Sequence, residues 1–413
     1  MFPRSATPDT YLLVFTRALR GFADGMVSVL LASYLLALRY TPLQVGGLVT
    51  GTLLGSAVVT LLVGLTGHRF SRRRLLIGAA GLMVATGLGF AGVTAFWPLL
   101  LIAVVGTLNP SAGDVSLFLP LEQATLVDTV SGSDRTLTFA WYNLSGAFAG
   151  ALGALAAGVP IALAHRHDWD LLWAHRSGFV VYAAIALGVA LLYCGLSPIV
   201  DGKPVQGTFA PLRRSRKIVL RLAALFSLDS LGGGFVVQSL LVLWLYRRFG
   251  LSVQTTGAIL FVGGLLSGFS QLVASRLALR IGLINTMVFT HLPSNVLLIL
   301  AGVMPHAWLA IALLLLRMAI SQMDVPVRQS YVMGVVPPEE RAAASSVTNV
   351  PRSLAAALTP LIAGALLERT AFGWPLICAG ALKCIYDVLL LLQFSQTRTA
   401  EELQAFGQPV MKK

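Results

Sequence analysis

Twelve mainly apolar stretches, most of them 20 residues or longer and separated by short polar connections, leave this chain few ways to fold. They fall near 11–37, 44–66, 75–96, 98–121, 136–163, 178–197, 218–246, 255–275, 285–304, 307–328, 342–367 and 373–394. About 20 such residues carry an α-helix across the hydrocarbon core of a bilayer. Lipid offers no partner to an open backbone edge, and these stretches are too long and too continuously apolar for barrel strands, so each reads as a spanning helix. Composition agrees: with 56% hydrophobic and 11% charged residues, 413 residues have too little polar surface to cover a soluble globule. The first stretch exceeds the apolar core of a signal peptide and reads as a span.

The net charge of +13 is placed for topology rather than for nucleic acid. Arg69, Arg72, Arg73 and Arg74 follow the second span, Lys203, Arg213, Arg214, Arg216 and Lys217 the sixth, and Arg276 and Arg280 the eighth. The opposite loops carry fewer, among them Arg39, Arg166, Arg176, Arg247, Arg248 and Arg369. Positive loops stay inside, so both termini and the connection 198–217 are expected in the cytoplasm of a cell with this chain in its cell membrane. That connection divides the chain into 1–197 and 218–413, six spans each. The expected partner of this surface is the bilayer, with no nucleic acid, and the chain is expected to act as a monomer. Phosphate binding by the basic loops is the alternative use of that charge.

Catalytic chemistry finds little support. No phosphate-binding loop of the G-x-x-x-x-G-K-[ST] kind is present, so the chain is not expected to hydrolyse ATP or to be an enzyme. Cys194, Cys378 and Cys384 lie in apolar segments, and His165, His167 and His175, with Asp168 and Asp170 among them, match no standard ligand spacing; no metal or cofactor is expected.

The chain also repeats itself at an offset of 206 residues. Glu122-Gln123, Asn143 and Gly158 recur as Arg328-Gln329, Asn349 and Gly364, and the acid-Arg pair Asp134-Arg135 recurs as Glu340-Arg341. A repeat of this size in a polytopic chain points to two bundles around a shared site, the build of a secondary transporter.

The loop after the second span reads Gly64-Leu65-Thr66-Gly67-His68-Arg69-Phe70-Ser71-Arg72-Arg73. It resembles the G-x-L-A-D-R-x-G-R-R loop of the major facilitator superfamily at Gly64, Arg69, Arg72 and Arg73, and Leu277 to Gly282 is a fainter echo in the second half. His68 stands where the family has Asp, and Ser71 where it has Gly. The resemblance implies an all-α integral membrane fold of 12 transmembrane helices in two pseudo-symmetric six-helix bundles, with spans one, four, seven and ten lining a central cavity. It implies a cytoplasmic gate at this loop, for which His68, Arg69, Arg72, Arg73, Glu122 and Arg328 are the candidates, with Glu122 paired to Arg328 or Arg72.

Charge inside lipid demands a reason. Arg17, Arg20 and Asp24 share one face of the first span; Asp229, Ser230 and Gln238 flank Gly232-Gly233-Gly234 in the seventh; Asn109 and Asp114 lie in the fourth; Arg317, Gln322 and Asp324 lie in the tenth. Asp24, Asp229, Asp114 and Asp324 are the proton-coupling candidates, since a carboxylate in low dielectric can load and release a proton. Arg20, Arg317, Asn109, Gln238 and Gln322 are the substrate-cavity candidates. The competing reading is structural pairing: Arg20 with Asp24, Arg317 with Asp114, Lys383 with Asp387, and His291 with Asn295 as hydrogen-bonded packing. The expected function is secondary active transport of a small organic solute by alternating access, proton-coupled, with efflux first and uptake of an organic anion as its rival. A transporter-like receptor without flux is the remote alternative.

Overall fold

Backbone hydrogen bonding in lipid is satisfied here by helices alone, and no other regular element occurs among the described residues. The computed structural model describes residues 5–66, 70–110, 118–130, 135–197, 200, 212, 214–337 and 340–395. His68, Arg69, Asp114, Asp134 and most of the connection 198–217 lie outside the described residues.

The helices are α1 (Pro8–Ala37), α2 (Pro42–Thr66), α3 (Arg72–Gly92), α4 (Phe96–Val105), α5 (Phe118–Thr129), α6 (Arg135–Ala156), α7 (Val159–His167) and α8 (Leu171–Cys194). They continue as α9 (Arg216–Phe235), α10 (Gln238–Phe249), α11 (Val253–Ile281), α12 (Leu283–Val303), α13 (Ala307–Met318), α14 (Asp324–Val335), α15 (Arg341–Arg369) and α16 (Trp374–Phe394). Among the described residues, ten helical stretches are long and apolar enough to cross a membrane, and the shorter apolar helices α4 and α13 stand at the fourth and tenth positions.

Four of the spans are broken in the structure. The seventh divides after Phe235, where Gly232 to Gly234 weaken the helix, and resumes at Gln238. The fifth divides at Gly158, with Pro160 in the first turn of α7. The fourth leaves its helix at Gly106, and the tenth runs through turns between Met318 and Asp324. The tenth restarts with Pro326 in the first turn of α14, where a missing N–H costs nothing.

The chain forms two compact units. One takes Met1–Val205, Val237–Gly264 and Pro360–Ala371; the other takes Gln206–Val236, Leu265–Thr359 and Phe372–Lys413. In the first, α1 is the axis. Thr7 and Thr10 form a capping box at its start, with Pro8 at the first helical position. Gly21 and Gly25 of α1 face Gly146, Gly150 and Gly153 of α6 so closely that a Cβ on Gly25 would overlap the Gly150 carbonyl. Tyr34, Phe90 and Phe179 stack beside α1, α3 and α8, with centroids 4.9 and 5.4 Å apart. Also within this unit, the Leu43 N–H at the start of α2 donates to Glu368 of α15 at 2.9 Å, and the Leu361 N–H donates to Thr50 at 3.0 Å.

The second unit packs α9, α12, α14 and α16 around Phe226, Met287, Tyr331, Tyr386 and Leu390. Glu340, the acid of the second acid-Arg pair, accepts from the backbone N–H groups of Arg214 and Ser215 at 2.9 and 3.0 Å, placing a carboxylate at the N-terminus of α9. Leu191, Phe269, Phe289 and Leu392 expose more than half of their surface, as a lipid-facing surface requires.

Candidate functional site

Each unit buries its own cluster of charge. In the first, the Glu122 carboxylate of α5 is enclosed: Arg20 of α1 and the Tyr142 hydroxyl of α6 donate to Oε2, the Tyr193 hydroxyl of α8 donates to Oε1 at 2.5 Å, and Thr16 stands 3.2 Å from Oε1. Glu122 and Arg20 are 0% and 1% exposed, so hydrogen bonding replaces the water each ion has lost. The Arg20 guanidinium lies over the Phe118 ring at 4.1 Å, and its Nε and Nη1 have no hydrogen-bond partner. Asp24, one turn along α1, takes a hydrogen bond from Asn109. Arg20 therefore forms its ion pair with Glu122, where the competing structural reading had Asp24, because the tertiary approach of α5 brings the Glu122 carboxylate onto the guanidinium.

In the second unit, Asp229 of α9 is the hub. Its Oδ1 accepts from Lys383 of α16 at 2.6 Å and its Oδ2 from Arg328 of α14 at 3.2 Å; Arg328 also meets Asp324 at 3.2 Å. His291 of α12 stands between two carboxylates, with Nε2 3.7 Å from Asp229 and Nδ1 2.9 Å from Asp387. Asn295 donates to Asp387 at 2.9 Å. Arg317 lies within electrostatic reach of Asp229 and Asp324, its Nε buried without a hydrogen-bond partner.

The sequence expectations meet this geometry unevenly. Asp24 and Asn109 come together, as do Asp229, Asp324 and Arg317. Gln238 opens α10 and Gln322 lies in the break before Asp324, both partly exposed. Glu122 and Arg328, expected at a cytoplasmic gate, are each enclosed in a charge cluster. Arg72 begins α3, and Arg73 donates to the Cys194 carbonyl at the end of α8, a cation at a helix C-terminus. Lys383 reaches across to Asp229 and Asp387 across to His291, in place of the expected intrahelical pair. His291 and Asn295 belong to the charge network, beyond the packing role read from sequence. Three further participants carry little signal in the sequence: Tyr142 and Tyr193 look like ordinary core aromatics, and Arg352 of α15, which donates to Ser230 at 3.2 Å, lies inside an apolar span. An arginine inside a 29-residue apolar helix was the signal available.

The two repeats hold their ion pairs with opposite sign, with Glu122 and Arg328 at the matched positions. The first-span partner is cationic and the fourth-span partner anionic in Arg20–Glu122; in Asp229–Arg328 the seventh-span partner is anionic and the tenth-span partner cationic. Arg328 also sits by an aromatic ring, Phe226 at 5.5 Å, as Arg20 sits by Phe118.

A polytopic helical chain with broken spans and buried, satisfied charge on several of them has the build of a membrane carrier. The chain belongs to the Major Facilitator Superfamily, whose sequence model matches residues 13–360 and again 230–410. It is 25% identical over 426 residues to an uncharacterized membrane protein of Saccharomyces cerevisiae, YJR124C, covering 95% of each chain. Its fold is similar to that of the nucleoside transporter NupG (TM-score 0.73, 14% identity, 95% of this chain and 100% of that one). The inward-open xylose transporter XylE of E. coli is similar to the same degree (TM-score 0.74, 15% identity, 96% and 99%). The protein is a multi-pass membrane transporter of some solute.

Proposed function

We propose that the protein is a proton-coupled secondary active transporter that moves a small organic solute by alternating access between two halves, 1–197 and 218–413, joined by 198–217. The observation that carries this reading is the paired charge clusters: titratable groups are buried on spans of both units, where a protein without coupled flux has no use for them. Differential affinity of the two arrangements for solute and proton supplies the coupling. Asp24 in the first unit and the Asp229 network in the second, with Asp324, are the coupling carboxylates, and Asp114 is a fourth candidate. Arg20, Arg317, Asn109, Gln238 and Gln322 are the cavity groups, and Arg72 and Arg73 with His68, Arg69, Glu122 and Arg328 remain the gate candidates. The location is the cell membrane, with both termini cytoplasmic, and the working state is a monomer.

Efflux is the first direction of this reading. Uptake of an organic anion is the second, favoured by the charge of the second cluster: Arg317, Arg328, Arg352 and Lys383 outnumber Asp229, Asp324 and Asp387 by four to three. A thermal-shift screen of the purified protein over organic anions, cations and neutral amphiphiles at two pH values identifies the class that stabilises it. Proteoliposomes with an imposed pH gradient then show accumulation or expulsion of the stabilising compound. Flux indifferent to the gradient would remove proton coupling, and stabilisation by cations alone would remove the anion reading.

A further inference from the structure

In the second unit, the cluster around Asp229 leaves one titratable group standing between two carboxylates. Asp229 has both oxygens taken by cations, Lys383 on Oδ1 and Arg328 on Oδ2. Asp387, 0% exposed, is met by a neutral amide and an imidazole, Asn295 and His291, each at 2.9 Å. His291, 4% exposed, turns both ring nitrogens toward carboxylates. A neutral imidazole has one N–H and one bare lone pair, so whichever tautomer it takes, one nitrogen presents a lone pair to a carboxylate oxygen. The short contact at Nδ1 and the 3.7 Å stand-off at Nε2 fit a neutral ring that donates to Asp387 and holds its lone pair away from Asp229.

We infer that the His291–Asp387 pair is a proton-loading site, and that the loaded proton draws Asp229 Oδ1 from Lys383 to His291. This rests on the transport reading above. A proton from water adds to the Nε2 lone pair and gives an imidazolium whose two N–H groups face Asp387 and Asp229; release reverses the step, and no electrons move. Lys383 and His291 address the same oxygen, so the new donor competes with the ammonium for it. The Lys383 stem crosses Gly232, where a Cβ would stand 2.8 Å from Lys383 Cγ, and its Nζ lies 3.9 Å from the place a Cβ of Gly233 would occupy. The ammonium that is set free therefore lies at the glycine run just before α9 ends, where it is available to an anionic solute. Absence of side chains at 232 and 233 is what leaves it that room.

Further charged and titratable groups surround the pair. On α16, Tyr386 presents its ring to His291 at 5.9 Å, nearly perpendicular, and Cys384 neighbours Asp387. From α14 come Asp324 and Arg328, paired to each other, and from α13 comes Arg317, directed at Asp229 and Asp324. Arg352 of α15 is engaged at Ser230, beside Asp229.

The proton itself is the probe. In purified full-length protein carrying 15N-labelled histidine, the imidazole pair missing from the His291→Gln spectrum belongs to His291. If that variant does not fold, single replacement of the other five histidines makes the assignment by elimination. We expect the His291 pair to pass between neutral and imidazolium shifts within pH 5 to 9, and Asp387→Asn to displace that midpoint by a unit or more. A His291 pair that stays in one form across the range, or a midpoint Asp387→Asn leaves in place, overturns the proposal. A titrating His291 in a protein that moves none of the screened solutes sinks the transport reading and leaves the proton site standing.

Discussion

Glu122 shows what holds a carboxylate ionised inside an apolar bundle. Arg20, Tyr142 and Tyr193 come from three different helices and meet on its two oxygens. Glu122→Gln leaves Arg20 buried without its anion and should cost about 3 to 5 kcal/mol of stability, against about 1 to 3 kcal/mol for Tyr193→Phe. Denaturant unfolding of the detergent-solubilised variants measures both, and a Glu122→Gln protein as stable as its parent would show that the pair is not a structural ion pair. Asp24 is the contrasting case: it takes a hydrogen bond from Asn109 and lies within electrostatic reach of Arg20 and Arg17, with no ion pair among the described residues. Replacing Asp24 by Asn should abolish pH-gradient-driven flux while leaving folded protein in the membrane, and unchanged gradient-driven flux in proteoliposomes would take Asp24 out of the mechanism. Arg317→Ala should weaken binding of the screened solute at least tenfold more than Arg317→Lys does, measured by isothermal titration; equal small effects would reduce Arg317 to packing. These charges were legible because an ionisable residue in an apolar stretch is conspicuous. Their partners were not, since a salt bridge between Arg20 and Glu122 spans 102 residues of sequence and only packing brings them together.

At the scale of the helix, glycine placement decides which faces touch. Gly25 and Gly153 have the carbonyls of Gly150 and Phe22 where a Cβ would go, so alanine at either position forces α1 and α6 apart. Gly25→Ala should destabilise by about 1 to 3 kcal/mol as overpacking does. Gly81→Ala, with nothing within 4 Å of the new methyl, should be neutral or stabilising by a few tenths of a kcal/mol through helix propensity. Melting temperatures of the two variants side by side test the assignment, and the opposite order would refute it. The glycines of the fifth span could be read from sequence as a close-packing face. Of the breaks in four spans, the one at the glycine run of the seventh could be read as a place where a helix bends or unwinds; the others could not, because hydropathy averages over a window and is blind to where a helix stops. Gly232 to Gly234 and Pro326 were the local signals, and only the fold showed that the chain uses them to end one helix and begin another.

Over the whole molecule, two independent asymmetries agree. Arginine and lysine gather in the loops read as inner, and five of the seven tryptophans, Trp97, Trp169, Trp173, Trp308 and Trp374, are exposed near helix ends on the side read as outer. Amphipathic indoles at one rim are what a membrane interface selects. A cysteine at Trp169 should react with an impermeant maleimide added outside intact cells, and one at Arg72 only after permeabilisation; the reverse labelling would invert the topology. The sequence by itself determined that the chain is a polytopic helical membrane protein, its family, its repeat and which residues carry charge into the lipid. The spans and the cost of the charge within them are fixed by the free energy of transferring each residue from water to hydrocarbon, which is local and adds along the chain. Tertiary structure alone decided that Arg20 answers to Glu122, that Asp229 gathers Lys383, Arg328 and His291, and that the two repeats hold their ion pairs with opposite sign. A buried charge is satisfied by whatever group packing places within about 3 Å, and that distance is set by the crossing of helices, which no stretch of sequence contains.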